Sequence, residues 1–179
     1  MPQSCSKASR LLASVTVFLG LLWPVYSIGK PTPRHKAKQA QVIFYHVPAI
    51  SVSKQEKECL AKNVYYEARG EGFAGMVGVA QVTLNRFHAR FRRQTSICKV
   101  VYDPDQFSWT RVRQKDPHGK SWVTARHIAS LTLRGLRIRG LEASLHFARH
   151  TLTPRWSKYL LISLLIGNHQ YWAIPTEES

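Results

Sequence analysis

The sequence predicts an α+β fold in which helices come first and a small β-structure comes last. Apolar residues recur four apart along Leu60–Ala68, which is the spacing of one buried helix face. Near the other end, Tyr159–Ile166 is apolar and partly β-branched, and Gly167-Asn168 has a turn composition before His169–Trp172. That succession is typical of a β-hairpin. With 179 residues, 44% of them apolar, the chain has room for one domain with a real core.

The first helix has clear start and stop signals. Ser53 followed by Glu56 is a capping-box pattern, in which the hydroxyl and the carboxylate each bond the other residue's backbone amide. The apolar spacing continues to about Arg69. Gly70 and Gly72 then end the helix, because glycine accepts the backbone conformations found at helix ends.

Three further helices follow from the same reasoning. One covers about Phe73–Ala89 and a short one covers about Ser96–Tyr102. Ser121 is expected to cap another helix that runs to about Leu133. The residues expected to face inward are Met76, Val79, Ala80, Thr83 and Phe87 in the first of these, and Val123, Ile128 and Leu131 in the last.

Residues 1–28 have the features of an export signal. Lys7 and Arg10 precede Leu11–Val25, an apolar run of 15 residues, which is short for a membrane span of about 20 residues. We expect a cleaved signal peptide or a retained signal anchor, and hence an exported protein of the periplasm or cell envelope. The basic, proline-containing residues 29–52 predict a tether whose far end lies on the domain as an extended segment. The domain itself is expected over residues 53–175.

The chain is strongly basic, with 26 Lys and Arg against 10 Asp and Glu and a net charge of +16. Such a surface attracts polyanions, which include nucleic acid, anionic lipid and anionic wall polymers. The sign of the charge does not choose among them, but the export signal argues against nucleic acid. Anionic envelope polymers are candidate partners. Membrane contact is expected only through the N-terminal segment, if that segment is retained, and the protein is expected to be a monomer.

Cysteine usage gives a candidate cross-link. Cys5 precedes the apolar run, so removal of the leader leaves Cys59 and Cys98. In an oxidising compartment two remaining cysteines are a candidate disulfide. The alternative is two small buried apolar residues, since unpaired Cys is commonly buried.

Two carboxylates, Glu67 and Glu71, lie where the first helix ends and the second begins. Glu67 is beside Tyr65 and Tyr66, and a carboxyl half-buried against aromatic rings has a raised pKa. A raised pKa suits a general acid that protonates a glycosidic oxygen near neutral pH. The alternative is a surface ion pair of either glutamate with Arg69, which contributes little energy. No second acid stands at a fixed spacing from Glu67, which favours attack by the sugar's own substituent over a two-carboxylate mechanism.

The histidines and aromatic residues carry weaker signals. Glu142, His146 and His150 are four apart and would align as metal ligands on a helix, but the sequence around them is not helical. We expect no metal and no cofactor. His146 and His169 are expected to donate hydrogen bonds in a polar cleft or to lie in the core. A sugar-stacking wall and plain core are both open interpretations of Gln106, Phe107, Trp109, Tyr171 and Trp172.

Four ordered blocks then carry a resemblance to a family. They are Y-Y-E-A-R-G-E with G-M-V-G-V-A-Q-V-T-L-N-R, T-S-I-C-K-V-V-Y with Q-F-S-W, S-L-H-F with T-P-R-W, and I-G-N-H-Q-Y, spanning about Glu58–Trp172. This pattern resembles the SleB-type cell-wall hydrolases, the group that includes spore cortex-lytic enzymes. The resemblance implies a lysozyme-like or lytic-transglycosylase-like domain that cleaves peptidoglycan between N-acetylmuramic acid and N-acetylglucosamine.

The resemblance also implies roles for individual residues. The family's catalytic glutamate maps onto Glu67, as acid to the glycosidic oxygen and then base toward the muramoyl 6-hydroxyl, leaving a 1,6-anhydro product. Glu71 would order the site, and Cys59 and Cys98 resemble a pair of secreted relatives. The expected substrate contacts are Tyr66, Gln106, Phe107, Ser108, Trp109, His146, Asn168, His169 and Tyr171.

The third block departs from the family pattern. It reads H-F-A at His146–Ala148, where many relatives carry a second aromatic residue or histidine, and Arg139–Glu142 leads into it in place of an acidic residue with small neighbours. The role of this block is therefore open. The competing hypotheses are a catalytically silent binder of anionic envelope polymer, a muramidase that uses water, an amidase that needs a metal, and a nucleic-acid binder.

Overall fold

The computed structural model describes residues 41–175, so the expected export signal lies outside the described range. Its helices are α1 (Lys54–Ala68), α2 (Phe73–His88), α3 (Ile97–Val101) and α4 (Gly119–Leu133). Its strands are β1 (Phe44–His46), β2 (Leu136–Ile138), β3 (Ser144–Arg149), β4 (Leu161–Ile166) and β5 (His169–Ala173), with 3-10 turns at Phe91–Arg93, Ser108–Arg111 and Arg155–Tyr159. The predicted α+β class, with helices first and a small sheet last, is confirmed.

The strands form two small antiparallel sheets. In the later one the order is β3-β5-β4, and β4 and β5 form the predicted hairpin around Gly167, whose φ is +56°. The other sheet pairs β1 with β2 and places Tyr45 opposite Arg137. Strand β2 has no counterpart among the predicted elements, because three residues are too few to show an alternating pattern.

The far end of the tether lies on the domain as an extended segment. Besides the pairing of β1, the Val47 amide donates to the Gly135 carbonyl and the Ile50 amide donates to the Leu133 carbonyl, each at 2.9 Å. Val42, Ile50 and Val52 pack against the core. The packed structure therefore begins before Ser53.

Helix α2 is buried on all sides. Every residue from Gly75 to Leu84 is buried, and the helix lies against α1, α3, α4 and strands of both sheets. A helix that is apolar all round must be covered all round. The remaining elements supply that cover.

The polar side chains of α2 bond its neighbours. Gln81 donates to the Ile138 carbonyl at 3.2 Å and accepts from the Ile138 amide at 2.7 Å, which fixes β2. Asn85 donates to the carbonyls of Leu141 and Ser144 at 2.7 and 3.0 Å. These bonds satisfy groups that would otherwise be buried without partners.

Two helix starts differ from the predictions. Ser53 Oγ accepts from the Glu56 amide at 3.1 Å as predicted, but the Glu56 carboxylate accepts from the Ile97 amide at 2.6 Å and so joins α1 to α3. Helix α4 starts at Gly119, whose φ of +69° turns the chain two residues before the predicted cap, so Ser121 lies inside the helix.

The inward face of α4 was predicted correctly only in part. Ile128 is buried, and Leu131 is partly buried against the core, but Val123 is 68% exposed. The buried face passes through Ala125, and Val123 lies about 200° around the helix from it.

A disulfide joins Cys59 on α1 to Cys98 on α3, with the Cα atoms 5.2 Å apart. It lies next to the Glu56–Ile97 hydrogen bond, so the two contacts together hold the short α3 against the first turns of α1. Within residues 41–175, no helix is long and apolar enough to cross a bilayer.

Replacing both Cys59 and Cys98 with alanine should lower the free energy of unfolding by about 3–4 kcal/mol, because the cross-link closes a separation of 39 residues and restricts the unfolded chain. Urea unfolding of oxidised and reduced samples measures the loss. Reductant should bring the wild type to the level of the variant and leave the variant unchanged. Equal stability of the oxidised wild type and the variant would contradict this.

Candidate active site

Glu67 lies in the last turn of α1, with its carboxyl group mostly withdrawn from solvent. Burial raises the pKa of Glu67 to about 7, against an opposing effect of the Arg86 guanidinium on α2. Among residues 41–175 its carboxylate forms neither an ion pair nor a hydrogen bond. A carboxyl that titrates near neutral pH and has no protein partner is free to exchange a proton with a ligand.

The surface pairing with Arg69 that the sequence left open does not occur in the described chain. The Arg69 guanidinium instead donates to the Tyr65 hydroxyl at 3.1 Å and lies over its ring, 5.1 Å from the centroid. Neither Glu67 nor Glu71 therefore pairs with Arg69, and the two glutamates lie in different environments.

Glu71 connects the turn after α1 to the β4–β5 hairpin. Its Oε2 accepts from the Asn168 amide and its Oε1 accepts from the Asn168 side chain, each at 3.0 Å. Burial alone would raise the pKa of Glu71, but the two Asn168 bonds, with His169 and Arg149, outweigh burial and lower it. Glu71 is thus an ionised group that holds the hairpin in place, in contrast to Glu67.

Glycines make room for this contact. A Cβ at Gly167 would overlap Glu71 Oε2, and a Cβ at Gly75 would come within 2.7 Å of Glu71 Cβ. The predicted turn composition of Gly167-Asn168 therefore serves two purposes, since it turns the chain and brings Asn168 to the carboxylate.

Arg86 is a site residue that the sequence analysis did not identify. Its side chain is only 5% exposed, its Nε donates to the Leu145 carbonyl at 2.7 Å, and its guanidinium lies over the rings of Phe91 and Phe107 at 5.4 and 5.0 Å. Burial lowers the pKa of Arg86 to about 10. The sequence contained one indication that Arg86 is buried, since it follows Thr83 by three positions and so continues the predicted inward face.

Tyr66, the residue before Glu67, and Trp109, in the 3-10 turn Ser108–Arg111, form a pair of stacked rings. Their centroids are 4.5 Å apart and their planes differ by 27°. Trp109 Nε1 donates to Asn63 Oδ1 at 3.0 Å, and buried Asn63 in turn donates to Thr83. The Tyr66 hydroxyl donates to the Lys115 carbonyl at 2.7 Å. Both half-buried rings are therefore fixed by hydrogen bonds at their polar atoms, as an aromatic platform requires.

The other aromatic candidates lie in the core, which was the second interpretation left open. Phe107, Tyr171 and Trp172 are all buried. The Tyr171 hydroxyl lies against Gly78, where a Cβ would overlap it, and donates to the Gly75 carbonyl at 3.4 Å. A ring enclosed in this way has no face to offer a sugar.

Phe147 connects the core members of this set. Its ring lies 6.3 Å from Phe107, 5.1 Å from His169 and 5.9 Å from Tyr171. The second, third and fourth sequence blocks thus meet in one aromatic cluster. Gln106 and Ser108 stand on either side of Phe107 in the chain. The backbone amide of Gln106 donates to the Asp103 carbonyl at 3.2 Å, and Ser108 is exposed.

The two candidate histidines are held in their neutral form. Burial lowers the pKa of His169, and burial with the nearby Arg86 lowers the pKa of His146 to about 4. Nδ1 of each ring is buried without a hydrogen-bond partner in the described chain. His146 packs between Phe91 and Trp156, with centroids at 5.4 and 5.0 Å.

The spacing of Glu142, His146 and His150 does not fall on a helix. His146 is on β3, and Nδ1 of His150, beyond the strand, lies 3.2 Å from the Asn168 carbonyl. In the part of the chain that the structure describes, no three His, Cys, Asp or Glu side chains come together as metal ligands.

Comparison with known proteins adds family information. Residues 70–172, more than half of the chain, match the family described as Cell Wall Hydrolase. The chain is 29% identical over 121 residues to the spore cortex-lytic enzyme of Bacillus subtilis (strain 168), which covers 68% of this chain and 38% of that protein. The chain therefore matches well under half of the relative's length.

A solved structure shares the fold. The crystal structure of the catalytic domain of the Bacillus cereus SleB protein matches with a TM-score of 0.54 and 24% sequence identity, over 69% of this chain and 94% of that chain. The SleB-type fold implied by the sequence blocks is confirmed.

Replacing Gly167 with alanine should displace the Glu71 carboxylate, because the new Cβ would overlap it. Gly119→Ala is the matched control, since Gly119 also has a positive φ but has nothing within 4 Å of its Cβ position. The control should lose about 1–2 kcal/mol of stability from backbone strain alone. Gly167→Ala should lose more and should raise the pKa of Glu71, as followed by NMR titration. Equal stability losses with an unchanged Glu71 titration would contradict this.

Proposed function

Because the chain belongs to the cell wall hydrolase family, we propose that it cleaves the glycan strands of peptidoglycan as a lytic transglycosylase. The bond cleaved is the one from N-acetylmuramic acid to N-acetylglucosamine. The name of the curated relative, a spore cortex-lytic enzyme, supports lysis of a wall polymer. Glu67 is the general acid and base of this reaction.

The raised pKa of Glu67 suits both proton transfers of this reaction, first to the glycosidic oxygen and then from the muramoyl 6-hydroxyl. With a pKa of about 7, its carboxyl carries a proton in a large fraction of molecules at neutral pH and transfers it to the glycosidic oxygen as the bond to C1 of the muramic acid breaks. The resulting carboxylate takes the proton of the muramoyl 6-hydroxyl as that oxygen bonds C1. The products are a 1,6-anhydro end and a protonated leaving sugar.

The observation that carries the transglycosylase proposal concerns the other acids. Within residues 41–175, burial raises the pKa of Glu67 and the Arg86 guanidinium opposes that rise. Asp103 is occupied by Arg92 and Gln94, both at 2.9 Å, and Glu71 is occupied by Asn168. Two-carboxylate hydrolysis needs a second free acid near the first, so attack by the substrate's own hydroxyl is favoured.

A pair of aromatic rings supports a sugar substrate. The stacked rings of Tyr66 and Trp109 provide an apolar face of the kind on which a pyranose ring packs. Glu71, fixed by Asn168, orders the end of the site through the hairpin.

The charge of the chain supports a second interaction. A net charge of +16 favours adsorption to anionic polymers of the wall or outer envelope. We infer an exported enzyme that is retained near its substrate by this charge.

Glu67→Gln should abolish lysis, with a loss of about 10²–10⁴-fold or more, because the amide can neither donate nor accept the proton. Purified peptidoglycan is digested with wild type, Glu67→Gln and the control Glu142→Gln, whose exposed carboxylate bonds the Gly140 amide. Mass spectrometry should find anhydro-muropeptides with the wild type and the control only.

Other products distinguish the alternatives. Reducing-end muropeptides from the wild type would overturn the transglycosylase step and make the enzyme a muramidase that uses water. Binding of peptidoglycan without any products, from a folded wild-type protein, would establish the catalytically silent binder.

Activity should fall as pH rises through about 7, because the acid form of Glu67 is needed first. The pKa of Glu67 in the folded chain exceeds its ordinary value of 4.5, so the folded state binds the proton more tightly and the contribution of Glu67 to stability declines between about pH 4.5 and pH 7. Glu67→Gln should therefore gain stability relative to wild type as pH rises. Rate profiles and urea unfolding from pH 5 to pH 8 measure both effects, and parallel stability curves for the two proteins would contradict the assignment.

A further inference from the structure

Arg86 is a buried cation that forms no ion pair in the described part of the chain. The carboxylate of Asp103, which also acts on it electrostatically, is already bound by Arg92 and Gln94. Nη1 of Arg86 is buried without a hydrogen-bond partner. A buried charge without an ion-pair partner destabilises a fold, so packing alone does not explain an arginine here.

The guanidinium is held in one position. Its Nε donates to the Leu145 carbonyl at 2.7 Å, and the rings of Phe91 and Phe107 lie 5.4 and 5.0 Å from its centre. These contacts come from β3 and from two separate segments between α2 and α4. A charge fixed from several sides acts on its neighbours without having to reorganise.

Glu67 is the neighbour whose protonation this charge influences. The charges of the two groups interact, but the guanidinium nitrogens and the carboxylate oxygens are more than 4.0 Å apart and form no ion pair. The other charged or titratable groups facing Arg86 are Asp103, which is occupied, Arg92, which has the same sign, and His146, which is neutral above about pH 4. A direct ion pair would keep Glu67 ionised, whereas this longer separation leaves both protonation states accessible.

We propose that Arg86 is a positioning residue, whose fixed positive charge supports the carboxylate form of Glu67 at the stage where that group accepts a proton. This inference rests on the proposed role of Glu67. Without Arg86, Glu67 is a weaker acid toward the glycosidic oxygen and stays protonated when it should act as a base.

The test removes the charge in two ways and keeps it in a third. Arg86→Met keeps an unbranched apolar stem and removes the guanidinium, Arg86→Gln keeps an amide donor for the Leu145 carbonyl, and Arg86→Lys retains the charge. Arg137→Met is the matched control, since Arg137 is also 5% exposed but donates to the carbonyls of Thr132 and Leu136. Lysis rates from pH 4 to pH 9 are measured for each, together with a carbon-13 NMR titration of the Glu67 carboxyl, assigned by its absence in Glu67→Gln.

Arg86→Met and Arg86→Gln should move the falling limb of the rate profile, and the Glu67 titration, upward by about one pH unit. Arg86→Lys and Arg137→Met should leave both near the wild-type position. A change in the rate profile near pH 4 would indicate the titration of His146 instead.

Unmoved titrations in folded Arg86→Met and Arg86→Gln would overturn the inference, while an inactive Glu67→Gln would still uphold the proposed function. Failure of both neutral variants to fold would make Arg86 a structural residue and overturn the inference as well. Retained activity of Glu67→Gln would overturn the proposed function itself, whatever the Arg86 variants show.

Discussion

The burial of α2 is the constraint on which the rest of the domain depends. A 16-residue helix with an uninterrupted buried stretch from Gly75 to Leu84 has no face to give to solvent. Helices α1, α3 and α4 cover part of it, and the two small sheets cover the remainder. The sheets are short because their task is to close gaps around a helix. They do not need a hydrophobic face large enough to be stable by themselves.

The candidate site arises from the same constraint. Glu67 stands in the last turn of α1, which packs against α2, and its carboxyl loses solvent without gaining a partner among residues 41–175. Arg86 stands near the end of α2 and is buried for the same reason. Glu71, only one turn of chain beyond Glu67, reaches the hairpin and finds Asn168. Two carboxylates four positions apart thus acquire opposite pKa shifts, and this difference separates the group that exchanges protons from the group that anchors.

The sequence predicted the elements that have strong local signals and the acid that stands among aromatic residues. The start of α1, the course of α2 and the hairpin at Gly167 follow from spacing, capping and turn composition, each of which acts over a few residues. The burial of Arg86 was missed because arginine is ordinarily a surface residue, although its position on the inward stripe pointed the other way. The core location of Tyr171 depends on the space left by Gly78, a contact across 93 positions that no local pattern contains.

The hydrogen bonds between α2 and its neighbours restrict the residue type in α2 but not at the partner positions. Gln81 and Asn85 recognise only backbone atoms of Ile138, Leu141 and Ser144. The side chains at those partner positions can therefore change in evolution without losing the contact, whereas a change of the glutamine or the asparagine loses it. Homologues of this domain should accordingly diverge faster in the segments that wrap α2 than in α2 itself, and the central helix is where distant members will be easiest to align.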